Sequence, residues 1–226
     1  MNTRGLLDQL LKSGQDLLQK QTGSGSGAQK GGGALGGLLS GMGGKAAAGA
    51  LGLLLGSKKA RKYGGKALTY GGLAALGVLA YKAYGNWQAQ QAAAPRGEPQ
   101  TLDRLPPAQV EQHSQAILKA LVAAAKADGH VDERERELIE GEFVKLSNND
   151  RDLQHWLHAE LNKPLDPADV ARAAATPEMA AEMYLASVML VDEEHFMERA
   201  YLDELARQLH LDPALKVELE RQVRTT

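Results

Sequence analysis

The sequence predicts an all-α protein in two unlike halves, a glycine-rich, basic, membrane-anchoring N-terminal half and an acidic bundle of about seven helices. Three observations lead there. Apolar residues recur at helical spacing through the second half, no stretch of it reads as a credible strand, and charge divides sharply at Pro95. Residues 1–95 carry 11 Lys and Arg against 2 Asp and Glu, a balance of +9, whereas residues 96–226 carry 15 against 26, a balance of −11. Halves this different are expected to face different surroundings: anionic lipid for the basic one, and water, cations or basic partners for the acidic one.

Residues 1–31 read as a short amphipathic helix, with Leu6, Leu7, Leu10, Leu11, Leu17 and Leu18, followed by a Gly/Ser linker from Thr22. Residues 32–87 read as a glycine-rich membrane-anchoring region with one or two spans. Small residues recur there at every fourth position, Gly32, Gly36, Ser40, Gly44, Ala48, Gly52 and Gly56. On a helix this makes a small-residue groove that a second helix can approach closely, and it is the expected route to a homo-oligomer. In water each such glycine costs a helix up to about 1 kcal/mol relative to alanine, so the ladder makes most sense in a lipid bilayer. A low-complexity tract in accidental register is the other reading. A basic knot, Lys58, Lys59, Arg61, Lys62 and Lys66, separates this run from a second one, Ala67–Tyr81, with Lys82, Tyr84 and Trp87 at its far end. The second run is the better span, because Lys82 can snorkel and the aromatic rings suit the headgroup level. The first carries Lys45 near its middle. The alternative for both runs is a buried helical hairpin. The first apolar run starts too late for a secretory signal, so any membrane segment is expected to be retained.

Residues 88–105 are rich in Ala, Gln and Pro and read as a flexible tether. The helical domain is expected over 106–226. Pro106 and Pro107 open its first helix, which runs to about Ala127 with Val110, Ile117, Leu118, Leu121, Val122 and Ala125 on one face. Asp132 and Glu135 form a capping-box arrangement ahead of a stripe of Leu138, Ile139, Phe143 and Leu146. A further helix from about Asp150 carries Leu153, Trp156, Leu157 and Leu161. The pairs Asp166-Pro167, Thr176-Pro177 and Asp212-Pro213 repeat one signature, a capping side chain before proline at the first helical position.

Composition narrows function by exclusion. The absence of cysteine removes disulfides, thiolate metal sites and cysteine nucleophiles. Aromatics at 4 % are too few for a base-stacking platform, and the acidic balance of the helical half disfavours nucleic acid. There is no HExxH pattern, P-loop or GxSxG turn, and no catalytic reaction is expected; the one cofactor left open is a divalent metal ion. His113, His155, His158 and His210 are scattered on helices without a partnered nucleophile and read as surface or packing residues.

Two acidic turns are the densest polar constellations. Lys126 to Arg136 contains Asp128, Gly129, His130, Asp132, Glu133 and Glu135; Val191 to Arg199 contains Asp192, Glu193, Glu194, His195 and Glu198. Aligning Glu135-Arg136 with Glu198-Arg199 exposes a weak internal repeat. The first turn fails the calcium loop of EF-hands: counting from Asp128, the sixth position is Glu133 rather than glycine and the twelfth is Ile139 rather than glutamate. A different carboxylate site remains open, with Asp128, Asp132 and Glu135 facing Asp192 and Glu198 to hold a divalent cation. Helix capping and favourable charge at helix N-termini account for the same residues without any metal.

The segments "AAAKADGHVDERERELI" and "YLASVMLVDEEHFMERAYLDELARQLHLDPAL" resemble the TerB-like fold. With the glycine-rich front, the whole layout resembles the YebE-type bacterial inner-membrane proteins of unknown function. The resemblance implies an all-helical domain whose relatives are associated with tellurite resistance and envelope or chemical stress. It also implies Asp128, Asp132, Glu135, Asp192 and Glu198 as suspected metal ligands. Function is then expected to be non-enzymatic: a membrane-anchored, stress-associated binding or sensing module, or a scaffold docking an unidentified protein partner without metal. The expected location is the bacterial inner membrane. The basic knot is expected on the cytoplasmic side, which puts the helical domain in the periplasm unless the Gly33–Gly56 run spans alone, in which case the domain stays cytoplasmic.

Overall fold

The computed structural model describes residues 3–8, 72–90, 97–127, 137, 139–141, 143–144, 150–191 and 195–225. Every regular element among them is helical, as expected. We number the helices α1 (Gly72–Gln90), α2 (Pro107–Ala125), α3 (Arg151–Asn162), α4 (Pro167–Ala171), α5 (Pro177–Leu190), α6 (Phe196–Gln208) and α7 (Pro213–Thr225). A 3-10 turn, Leu102–Arg104, joins α1 to α2, and residues 3–8 and parts of 137–144 are also helical.

The helix starts lie where capping chemistry predicts. Asp150 accepts the N–H of Leu153 at 3.1 Å, Asp166 that of Ala168 at 2.9 Å, Thr176 that of Met179 at 3.1 Å and Asp212 that of Ala214 at 2.8 Å. Each takes up a donor that the first turn of a helix cannot satisfy internally. The predicted apolar faces are buried too: Val110, Ile117, Leu118 and Val122 on α2, Leu153, Leu157 and Leu161 on α3, and Ile139 and Phe143 between them.

At the centre is α5, which packs against α1, α2, α6 and α7. It is apolar nearly all round, with Met179, Ala180, Ala181, Met183, Tyr184, Leu185, Ala186, Val188 and Leu190 buried, as a helix enclosed on every side must be.

The structure corrects the membrane expectation. Among the described residues, no helix is long and apolar enough to cross a membrane. The run singled out as the better span is α1, and its Leu76, Leu79, Ala80, Ala83 and Tyr84 are buried in the same core as α2–α7. They lie against α7, α5 and the 3-10 turn. A lipid-facing role would leave these groups pointing at acyl chains; here they meet protein. Trp87, expected at the headgroup level, instead donates from Nε1 to Asp212 at the start of α7 (3.1 Å) and stacks edge-on to Tyr84 at 5.1 Å. Asn86 donates to Glu218 at 2.7 Å. The expectations of a transmembrane helix, an inner-membrane location and a periplasmic domain fall with this finding. The Gly32–Gly56 ladder and the basic knot lie outside the described residues.

Gly77 shows why α1 reads as membrane-like while being core. A Cβ there would come within 2.7 Å of Asp103 Oδ1 and 2.8 Å of the Asp103 backbone nitrogen, so the small residue admits the 3-10 turn. Gly77→Ala should therefore destabilise. Helix propensity returns up to about 1 kcal/mol, but overpacking against a backbone atom costs about 1–3 kcal/mol. A lowered midpoint of urea unfolding checks this; an unchanged or raised midpoint would mean the turn can move away.

Candidate functional site

Of the five carboxylates marked as candidate metal ligands, Asp128, Asp132, Glu135 and Asp192 lie outside the described residues. Glu198 is described and stands half-buried in the first turn of α6. Helix α5 ends at Leu190 and α6 begins at Phe196, so the second acidic segment does fall at a helix start, as its sequence suggests.

The structure brings together a pair that sequence reading missed. Glu182, fully buried on α5, meets His113, 4 % exposed on α2, with Oε2 at 2.6 Å from Nδ1. Its other oxygen accepts the backbone N–H of Leu102 at 2.5 Å. One carboxylate thus ties α5, α2 and the 3-10 turn at a single point. Burial holds the Glu182 carboxyl above its ordinary value, while the bonds from His113 and Leu102 oppose the shift and the nearby Asp103 charge reinforces it. Either Nδ1–H donates to a carboxylate or a carboxylic O–H donates to bare Nδ1. Both satisfy the two groups in a dry interior, where an unpaired charge would be costly. A signal existed in the sequence: Glu182 is the one acidic or basic residue between Met179 and Leu190.

A second ionic cluster joins α2 to α4. Lys119 lies 2.8 Å from Asp169 Oδ2, and Arg172 lies 2.6 Å from Oδ1. The Lys119 ammonium, then Arg172, hold the Asp169 carboxyl down to about 2. A depressed folded-state value means the contribution is complete above the ordinary value, near 4, and is lost as pH falls toward about 2. Stability measured across that window should decline, and Lys119→Met should make the decline shallower. An identical slope in the variant would show that the pair carries no linkage.

A groove of about 430 Å³ lies between three separate segments. Tyr84 and Trp87 of α1 form one wall, Ala174, Ala175, Pro177 and Ala180 a second, and Leu209, Leu211 and Leu215 the third, with Thr176, Gln208, His210 and Asp212 supplying polar groups. The arrangement follows from local chemistry. The short α4, the proline-started beginning of α5 and the tight α6–α7 connection meet at this place, opposite the aromatic rings of α1. The α6–α7 connection is closed by Leu211 N–H to Ala206 C=O at 3.1 Å and His210 N–H to Arg207 C=O at 3.2 Å, the paired bonds of a Schellman ending. Glycine usually occupies its left-handed position; here His210 does, at φ 53°. A side chain in that conformation costs roughly 1–2 kcal/mol, and strain of this kind clusters at functional sites. His210→Gly should stabilise the fold by about 0.5–1 kcal/mol, once the larger unfolded-state freedom of glycine is set against the relieved strain. A lower melting temperature in the variant would contradict this.

Comparison with known proteins identifies the family. The chain is 32 % identical to the "Uncharacterized protein in ampR 5'region" of Yersinia enterocolitica over 127 residues, 56 % of this chain and 89 % of that protein. No solved structure matches it. Residues 23–223 match the family described as "Protein of unknown function (DUF533)", a stretch that takes in α1 and the whole groove. The chain therefore belongs to the DUF533 family.

Proposed function

We propose that the chain is a non-enzymatic docking module whose groove takes an apolar side chain from a basic segment of a protein partner. The observation that carries this reading is the strained His210 on the lip of the apolar groove, a conformation that stability alone would replace by glycine. The partner's charge follows from the −11 balance of residues 96–226 and from the carboxylate of Asp212 at the groove. Such a site recognises shape with its aromatic and alanine walls and orientation with a few polar groups. Basic peptides selected by display on the whole chain should shift Trp87 emission, read in a Trp156→Phe background. They should bind Ala174→Trp, which fills the groove, at least tenfold more weakly. His210→Gly should weaken them while raising stability. Equal affinity for wild type and both variants would overturn the assignment.

The TerB-like resemblance supports a second reading, in which Asp128, Asp132, Glu135, Asp192 and Glu198 hold a divalent cation in a stress-associated sensing role. The observation favouring it is the placement of Glu198 in the first turn of α6, where the motif puts it. Calcium, magnesium, manganese or zinc at about 100 times its dissociation constant should add about 2.7 kcal/mol to the stability of the whole chain. Asp128→Asn with Asp192→Asn should abolish the gain. A melt that none of the four ions moves removes this reading.

A further inference from the structure

Helix α1 carries aromatic residues three positions apart, Tyr81, Tyr84 and Trp87. Side chains at that spacing on a helix are neighbours. At the first ring the chain supplies its own ligand. The Arg104 guanidinium lies over Tyr81, 3.8 Å from the ring centroid, and pairs with the Glu98 carboxylate. A cation over a ring face is attracted by the ring quadrupole, and a planar guanidinium can stack there while its edge donates to a carboxylate.

The last ring repeats two of these three parts. Indole gives the strongest ring face for a cation, and Trp87 Nε1 donates to Asp212 at 3.1 Å, so a carboxylate stands beside the ring. Tyr84, edge-on to Trp87 at 5.1 Å, adds a second aromatic wall. Negative charge is also close on α5: burial, and then the Glu178 carboxylate, hold the Tyr84 phenol above its ordinary value. The third part is a cation. Tyr84, Trp87 and Asp212 all line the groove, and among the described residues of that lining there is no lysine or arginine.

We propose that the groove reads an arginine of the docked basic segment, its guanidinium seated against Trp87 and Asp212 and its methylene stem along the apolar lining. This rests on the groove being the docking site, and it names the residue through which the partner's charge is felt there. Arginine fits better than lysine because a flat fork stacks on a ring and meets a carboxylate at once, whereas an ammonium is a strongly hydrated point charge.

The test uses the whole chain carrying Trp156→Phe, so that emission reports Trp87, and two ligands of one shape, N-butylguanidinium and the neutral N-butylurea. The guanidinium should bind at least tenfold more tightly than the urea. Asp212→Asn keeps a good helix cap while removing the charge. It should weaken the guanidinium at least fivefold and leave the urea unchanged. Equal affinities of the two ligands, a guanidinium that does not bind, or one whose binding ignores Asp212→Asn overturns the proposal. The groove reading fails separately, if display-selected basic peptides bind Ala174→Trp as tightly as the wild type. Where the peptides do depend on the groove, replacing one arginine by neutral citrulline should cost at least tenfold. If no single citrulline does so, the arginine falls and the groove stands. If Asp212→Asn loses its helical signal, the comparison of the two ligands decides.

Discussion

A chain beginning at residue 96 is expected to lose the cooperative helical fold, whereas one beginning near residue 70, which loses the buried Leu6 and Leu7 but keeps α1, is expected to melt cooperatively at a lowered temperature. Helix α1 contributes the buried side chains Leu76, Leu79 and Tyr84 to the core. At about 1.5–3 kcal/mol for each large apolar group buried, their removal costs roughly 5–9 kcal/mol. That is comparable with the whole stability of an ordinary domain, roughly 5–15 kcal/mol. The loss is compounded by the partner surfaces on α5 and α7 that would turn to water, and by Glu218 and Asp212, which would lose Asn86 and Trp87. Circular dichroism melts of the two truncated chains beside the whole protein decide the point. A cooperative transition of the shorter chain at the full chain's temperature would show that α1 is an accessory.

His113→Leu is expected to destabilise the protein by about 3–5 kcal/mol, because it leaves the Glu182 carboxylate in a dry core with the Leu102 N–H as its remaining donor. The double variant His113→Leu/Glu182→Met should cost less than the single one, since both polar partners leave together. The orphaned Leu102 N–H would still cost about 1–3 kcal/mol. The same pair makes a pH prediction. Burial raises the folded-state value of Glu182 above 4.5, so the folded chain holds a proton that the unfolded chain releases. That contribution is complete below about 4.5 and is lost as pH rises through the folded value. Asp169 acts in the opposite sense at lower pH, so the wild-type profile sums both, and the difference between wild type and Glu182→Gln isolates the glutamate. His113 and Asp103 are the titratable groups that act on it. Parallel profiles for wild type and Glu182→Gln would show that the carboxyl is not perturbed as its burial requires.

The candidate site was legible only in fragments. Asp212-Pro213 and Thr176-Pro177 mark helix starts in the sequence, and both helices do begin there, at the groove. Nothing local says that Trp87, 125 residues from Asp212, closes the same opening. His113 looks like one of several scattered histidines because its partner is 69 residues away. Glu182 could have been flagged, since a lone carboxylate within an apolar helix demands an internal partner, but which partner is a question of packing.

By itself the sequence determined the helical class, the helix starts from Asp150 onward and the faces that α2 and α3 bury, because capping and periodicity are local properties of a few consecutive residues. What covers an apolar face is not local. An amphipathic or small-residue helix such as 72–90 has the same composition whether lipid or protein lies against it, and the tertiary structure decided for protein by setting α7, α5 and the 3-10 turn on that face. Gly77 carries the reason in one residue: in sequence it is one more small residue of an apolar run, and in the fold it is the gap through which Asp103 approaches the helix backbone.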